Sequence, residues 1–286
     1  MAAEIWTIRR LLQWTAGYFA KHGIEEARLD AELLLGHVLD KPRIYLYTDY
    51  DQIVDLGELA RFKALIRRRV EGYCTAVLIG EKEFMGISFS VNESVLVPRP
   101  DTEAWLEKII QQYRNLPGVR ALDLGTGSGA IAVSFLSFCK KASAVAVDIS
   151  EKALETARGN GEKAGISSRI DWRLGDYFEA LREGETFDVI LSNPPYIPSA
   201  DMEGLASEVR HEPALALDGG ADGLLFYRRL RKEAARYLAP GGLLAAEVGI
   251  GQADAVAALF TEGGLTEISL IKDYGGIDRA VTGKKA

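Results

Sequence analysis

The tetrapeptide Asn193-Pro194-Pro195-Tyr196 puts a carboxamide, a backbone carbonyl outside any ladder and an aromatic ring within four residues. Before it, Asp188-Val189-Ile190-Leu191-Ser192 is a short apolar run that reads as a buried strand. Asn193 therefore falls at a strand's carboxyl end, where open α/β sheets hold their ligands. Two consecutive prolines remove two N–H donors and fix two φ angles, so the carbonyls there are held in place and left unpaired. Such a set suits a flat, NH2-bearing group, an amide or an adenine. A plain strand-terminating turn would draw on the same residue types.

A second stretch with chemistry in it is Leu122-Asp123-Leu124-Gly125-Thr126-Gly127-Ser128-Gly129-Ala130. It follows an apolar run and opens a helical pattern, and its glycines let a ligand approach the backbone closely. About twenty residues on, Asp148 ends the next strand, placed to accept hydrogen bonds from a ribose diol. Gly125, Gly127 and Ala130 also satisfy the dinucleotide spacing, so this loop alone leaves NAD and S-adenosylmethionine both open. Asp176-Tyr177 after the third strand favours the second, offering a carboxylate to an adenine amino group and a ring beside the base. Asp176 as a helix cap and Tyr177 as core are the structural alternatives. Asp123 and Glu247, at other strand ends, are further candidates to line the crevice.

These residues need a sheet to hold them. From Val119 onward strands and helices alternate, with strands expected near 119–123, 143–148, 170–174, 187–192, 243–247, 267–272 and 279–282 and helices between the first six. The last two strands are joined by a link too short for a crossover helix, so they should form an antiparallel hairpin. Ahead of them, Thr7 can cap a helix ending near Gly23, a second helix stops before Pro42, and a third runs from about Leu56 to Val70. Ala76–Ile79 and Glu83–Val91 read as two strands of a hairpin. Asp101 or Thr102 is expected to cap the helix that follows. The expected fold class is α/β: a doubly wound, mainly parallel seven-stranded sheet with a small N-terminal helical bundle and a linking β-hairpin. The domains follow as 1–72 for the bundle, 73–97 for the hairpin linker and 98–286 for the sheet domain. Arg67-Arg68-Arg69 gives the bundle a basic end, read equally as a solvated face or a partner site.

Of the 286 residues, 34 are basic and 41 acidic, and the net charge of −7 argues against general affinity for phosphate backbones. No apolar run reaches membrane-spanning length, and the start lacks a basic and apolar leader. Cys74 and Cys139 match no metal spacing, so no metal is expected, and Cys139 reads as buried and inert. A monomer in a reducing cytoplasm is the expectation, with no membrane and no direct nucleic acid contact.

With the Gly125–Gly129 loop, Asp148, Asp176-Tyr177 and Asn193-Pro194-Pro195-Tyr196 in that order, the chain resembles a class I S-adenosylmethionine-dependent methyltransferase. The tetrapeptide belongs to the branch that methylates planar nitrogens. Asp30-Ala31-Glu32-Leu33-Leu34-Leu35, Gly80-Glu81-Lys82-Glu83-Phe84, Pro98-Arg99-Pro100-Asp101-Thr102-Glu103, Glu208-Val209-Arg210-His211-Glu212-Pro213, Leu217-Asp218-Gly219-Gly220 and Tyr274-Gly275-Gly276 narrow the resemblance. They look like the PrmC/HemK family, the protein-(glutamine-N5) methyltransferases of class I peptide chain release factors. The resemblance covers nearly the whole chain. It implies S-adenosylmethionine as cofactor, held by Gly125, Thr126, Gly127, Ser128, Gly129, Asp148, Asp176, Tyr177 and Asn193. It implies the glutamine of the release factor's Gly-Gly-Gln loop as substrate, with Asn193 and Pro194 catalytic and Pro195 and Tyr196 completing the pocket. The N-terminal bundle would help hold the release factor. The family often has a Trp in place of Tyr177, and Glu71-Gly72-Tyr73-Cys74-Thr75 departs from its usual Glu-Pro segment. Arg99, Asp101, Thr102 and Glu103 receive no assigned role, and the setting of His211 suggests loop ordering over base catalysis. Two rivals remain. An adenine-N6 DNA or RNA methyltransferase would need a flipped base and a basic channel. A non-catalytic, translation-associated scaffold would keep the fold without the reaction.

Overall fold

The computed structural model describes residues 5–286. They fall into two compact units: the chain up to Gly80 together with Ala206–His211, and Glu81–Leu205 together with Glu212–Ala286.

The first unit is helical. Helix α1 (Ile8–Lys21) starts at Thr7, whose hydroxyl accepts the Arg10 N–H, and packs along α2 (Ala27–Leu39). The short α3 (Tyr45–Thr48) leads to α4 (Leu56–Val70), opened by a reciprocal Asp55–Glu58 capping box. Ile8, Leu12, Phe19, Leu34, Phe62 and Ile66 form the core. Ala76–Ile79, expected as a strand, lies instead in helix α5 (Thr75–Ile79). A continuous apolar run does not distinguish the two by period, and here Gly80, at φ +84°, terminates a helical turn. The three consecutive arginines are not one solvated end. Arg69 is buried, with Nε donating to Asp30 at 2.7 Å and Nη2 bonded to Glu208. Glu208 comes from α9 (Ser207–Arg210). Arg68 covers the Tyr73 ring at 4.2 Å, and of the three only Arg67 is exposed.

The second unit opens with a hairpin, β1 (Glu81–Phe84) and β2 (Ile87–Ser90). Met85 and Gly86 both have positive φ, 51° and 72°, the signature of a two-residue type I′ turn. The hairpin thus lies within the single run expected as its second strand, and the expected 73–97 linker is divided between the two units. Helix α6 (Pro100–Tyr113) has Arg99 as cap residue and Pro100 in its first turn, not Asp101 or Thr102 as cap. Proline suits that position because its missing N–H would be unpaired there anyway. Thr102 consequently keeps its hydroxyl free for other work.

The sheet follows with β3 (Arg120–Leu124), α7 (Ala130–Phe138), β4 (Ser143–Asp148), α8 (Glu151–Lys163), β5 (Ile170–Leu174) and β6 (Phe187–Ser192). It ends with α10 (Leu225–Tyr237), β7 (Leu238–Glu247), α11 (Ala253–Glu262), β8 (Leu265–Lys272) and β9 (Asp278–Lys285). Only a 3-10 turn, Tyr177–Ala180, joins β5 to β6, where a helix was expected. Strand order is β5-β4-β3-β6-β7-β9-β8, parallel except for β9, which runs antiparallel to both neighbours. Alternate residues of the central strands face opposite layers, which explains their unbroken apolar character. Val189 and Leu191 pack with Trp105 of α6 and Phe135 of α7, while Ile190 packs with Tyr227 of α10 and Val256 of α11.

The buried ion pair of the first unit makes a prediction. Arg69→Met strips Asp30 of its cation and should lower the unfolding free energy of this unit by about 3–5 kcal/mol. Pairing it with Asp30→Leu should recover most of that loss. Urea denaturation of the single and double variants reads both.

Candidate active site

A cavity of about 250 Å3 opens at the carboxyl ends of β3, β4, β5 and β6. Its floor is the glycine loop after β3. Gly127 stands at φ +56°, donates its N–H to Asp148 Oδ2 at 2.8 Å and has open space where a Cβ would project. Gly129, at φ +80°, packs so tightly that a Cβ would meet Ala157 and Val133 at 3.2–3.3 Å. The third glycine thus lets α7 start against α8. Asp148 Oδ1 accepts from Ser150 N at 2.9 Å. Each of its oxygens retains a lone pair, so two acceptors remain for a pair of hydroxyls. Burial raises its pKa above the ordinary carboxylate range.

Asp176 and Tyr177 form one wall. The Asp176 side chain does not cap the turn that follows but accepts Arg229 Nη1 at 2.7 Å. Tyr177 is buried at φ +54°, unusual for an aromatic residue, with its ring stacked on Phe226 at 5.0 Å and beneath the Arg229 guanidinium at 5.2 Å. Phe226 and Arg229 escaped the sequence reading. The only signal was their i, i+3 spacing on a helix that follows a glycine-rich turn.

Of the tetrapeptide, Asn193 and Pro195 line the cavity; Pro194 is buried and Tyr196 half-buried beside it. Asn193 Nδ2 donates to Thr102 Oγ1 at 3.2 Å. The Tyr196 carbonyl accepts Gln252 Nε2 at 2.9 Å, and Gln252 Oε1 in turn accepts Gly249 N at 3.0 Å. A Cβ on Gly219 would stand 2.8 Å from Tyr196 Cα, and one on Gly223 would strike the Tyr196 carbonyl. Burial pushes the Tyr196 hydroxyl up to about 12, so it stays protonated.

Two further carboxylates are buried at this edge of the sheet without lining the cavity. Asp123 Oδ2 accepts Thr126 Oγ1 at 2.7 Å and Ala132 N at 3.1 Å, while Oδ1 has no partner. Desolvation pushes its pKa up to about 7, against the lowering effect of those hydrogen bonds. Glu247 Oε2 accepts Thr102 Oγ1 at 2.5 Å and Trp105 Nε1 at 2.9 Å. Its pKa is raised, first by desolvation. Thr102 and Arg99 line the cavity, with Arg99 paired to Glu212 at 2.6 Å. Asp101 pairs with Arg279 at 2.9 Å, and Glu103 accepts Met85 N at 2.6 Å. His211 belongs to the first unit, its Nδ1 on the Ser207 carbonyl at 2.8 Å and its ring against Tyr73. Burial pushes the Cys139 thiol up to about 11.

Residues 10–80 match the PrmC N-terminal domain and residues 102–249 the methyltransferase small domain. The release factor glutamine methyltransferase of Geobacter sulfurreducens is 44% identical over 98% of both chains. That of Rhodopirellula baltica is 42% identical over 98% of this chain and 97% of its own, and that of Moorella thermoacetica 40% over 96% of each. Among solved structures, a methyltransferase from Pyrococcus furiosus superposes with a TM-score of 0.51 at 23% identity, covering 72% of this chain and 92% of its own. The hMettl16 catalytic domain, solved with an RNA hairpin, reaches 0.56 at 16% identity over 82% of this chain and 83% of its own. These two likenesses extend to the fold. Relatives 40–44% identical over nearly the whole of both chains point to one family: the chain belongs to the release factor glutamine methyltransferases.

Proposed function

We propose that this chain methylates the side-chain amide nitrogen (N5) of the glutamine in the Gly-Gly-Gln loop of class I peptide chain release factors, using S-adenosylmethionine. The observation that carries the reading is the meeting of Asn193 and Pro195, the cavity-lining members of the tetrapeptide, with the glycine loop around one cavity, in a chain whose relatives are named for release factor glutamine methylation.

The cavity's residues fit the cofactor. The two spare lone pairs of Asp148 suit a ribose diol, and the open space at Gly127 leaves its backbone approachable. Tyr177 and Phe226 offer flat apolar surface for a base, with Asp176 beside them for its amino group. Thr126, Ser128 and Gly125 complete the cradle, and Asn193 faces it from the adjacent strand end. Gly129, expected to bind the cofactor, does not line the cavity and serves the packing of α7 on α8. When bound, S-adenosylmethionine supplies a methyl group already activated on a sulfonium.

An amide nitrogen is a poor nucleophile because its lone pair is delocalised into the carbonyl. The task left to the protein is alignment. The Asn193 side-chain carbonyl and the Pro194 backbone carbonyl accept the two N–H bonds of the glutamine amide, aim its nitrogen and favour the positive charge that develops there. Pro195 stiffens the loop, and Tyr196 packs on the flat amide. No general base is required, because the methylated, positively charged amide gives up its proton to water readily. The protonated Tyr196 hydroxyl is unsuited to that role. The first unit, with its PrmC N-terminal match, would hold the body of the release factor. We place the enzyme in the cytoplasm as a monomer; among the described residues no helix is long and apolar enough to cross a membrane.

Methyl transfer from labelled S-adenosylmethionine to a purified class I release factor tests this. Label should enter the intact factor and not one whose loop glutamine is replaced. Asn193→Ala should lower kcat about 100-fold or more, as loss of one oriented polar group commonly does. Label on DNA or RNA instead would move the chain to the adenine branch, and cofactor binding without transfer would favour a scaffold.

Asp123, under the glycine loop, allows a test without substrate. Its folded pKa near 7 exceeds the ordinary 3.8, so the folded protein holds this proton more tightly than the unfolded chain. Its contribution is therefore most favourable at low pH and is lost as pH rises from about 4 to about 7. Asp123→Asn should gain stability relative to wild type across that window, by up to about 4 kcal/mol. Urea titrations at both ends read the difference; one that does not change with pH would count against it.

A further inference from the structure

We infer that Thr102 and Glu247 are positioning residues that decide which edge of the Asn193 carboxamide faces the cavity. This rests on the reading of Asn193 as an acceptor for the substrate's N–H. The two ends of a carboxamide have the same shape, so only its hydrogen-bond partners can tell them apart. Here those partners form a chain with a fixed direction. An indole nitrogen can only donate, and Trp105 Nε1 donates to Glu247 Oε2 at 2.9 Å, which marks that oxygen as an acceptor. Thr102 Oγ1 stands 2.5 Å from the same oxygen, within the charge-assisted range, so its single proton points there. The side of Thr102 that meets Asn193 is then a lone pair, and only an NH2 can satisfy it. That bond is present at 3.2 Å. A reversed Asn193 would oppose two lone pairs with no proton between them.

The relay is well anchored. Thr102 is 3% exposed, Glu247 2% and Trp105 0%, and the Tyr227 hydroxyl holds the Glu247 carbonyl at 2.7 Å. Thr102 and Trp105 sit one turn apart on α6, Glu247 ends β7 and Asn193 follows β6. Two separate elements, α6 and β7, thus fix one side-chain torsion at the end of a third. The result is that the Asn193 carbonyl is presented as an acceptor before any substrate arrives, whereas a freely rotating carboxamide would present a donor in a share of the molecules.

Thr102→Val keeps the shape and removes the hydroxyl; Thr102→Ser keeps the hydroxyl. The valine variant should lose about tenfold to 100-fold in kcat for methyl transfer to the release factor. Its calorimetric Kd for S-adenosylmethionine should stay at the wild-type value, and serine should restore most of the rate. Its melting temperature should fall by no more than the loss of one buried hydrogen bond and remain well above the assay temperature. In 15N-asparagine-labelled protein, the Asn193 NH2 resonances, identified by their loss in Asn193→Ala, should shift in the valine variant and return in the serine one. Wild-type kcat in Thr102→Val, an equal defect in Thr102→Ser, or a defect confined to cofactor affinity would each overturn the relay. If wild-type enzyme labels no release factor, the functional reading fails by itself. The NH2 resonances then still decide: a shift reversed by serine upholds the relay, and no shift removes it.

Discussion

The parallel pairing of β3 with β6, Leu124 beside Ser192, is the constraint on which the rest of the site depends. Both strands are buried on both faces, and a slip of one residue would send Leu122 and Ile190, which now share one layer, to opposite ones. The Ser192 hydroxyl adds a bond to the Leu124 carbonyl at 2.7 Å and locks the last rung. From β3 the chain proceeds outward to β4 and β5, then returns to lay β6 on the other side. That reversal is the switch point at which the crossing loops part and leave a crevice. Gly125 and Asn193, 68 positions apart in sequence, both leave this one pair of strand ends.

Rigidity on the two sides of the crevice has different origins. On the glycine-loop side it comes from backbone amides and one hydroxyl folded onto carboxylates: Asp148 accepts the Gly127 and Ser150 amides, while Asp123 accepts the Thr126 hydroxyl and the Ala132 amide. On the acceptor side prolines supply stiffness, and neighbours supply position. Ile197 bridges Asp218, Gln252 grips the Tyr196 carbonyl, and Gly219 and Gly223 allow a second loop to lie directly against Tyr196. Gly219 and Gly223 are thus explained by close approach: any side chain at either would displace Tyr196, the residue we propose to pack on the substrate.

What was legible in the sequence had a local cause. Buried parallel strands write themselves as apolar runs, the glycine loop follows from left-handed φ, and the proline pair ends β6 where it must. The elements misread were those whose local signal is ambiguous. Thr75–Ile79 is apolar without period, and it becomes a helix because it packs on α2 and α4. The link from β5 to β6 contains enough residues for a helix but forms only a 3-10 turn around the buried Tyr177 and Phe178. The site residues that went unassigned, Thr102, Phe226 and Arg229, act through partners distant in sequence. Thr102 and Glu247 are 145 positions apart, and no local pattern connects them.

The electrostatics of the crevice follow from which charges are already committed. Arg229 is paired to Asp176, Arg99 to Glu212, and Arg279 to both Asp101 and Asp273. Each guanidinium near the cavity is therefore offset by at least one carboxylate. Asp148 and Asp123 have no cation of their own; their oxygens meet backbone amides and a hydroxyl. Desolvation raises the pKa of both, as it does for Glu247. A cavity built in this way is short of positive charge and rich in oriented acceptors. It suits a cationic ligand better than an anionic one, and under the proposed reaction it would stabilise a nitrogen that becomes positive as its lone pair is used. Phosphate-bearing ligands would meet the opposite field, which is a physical reason, separate from any motif, to propose a sulfonium nucleoside and not a dinucleotide for this cavity.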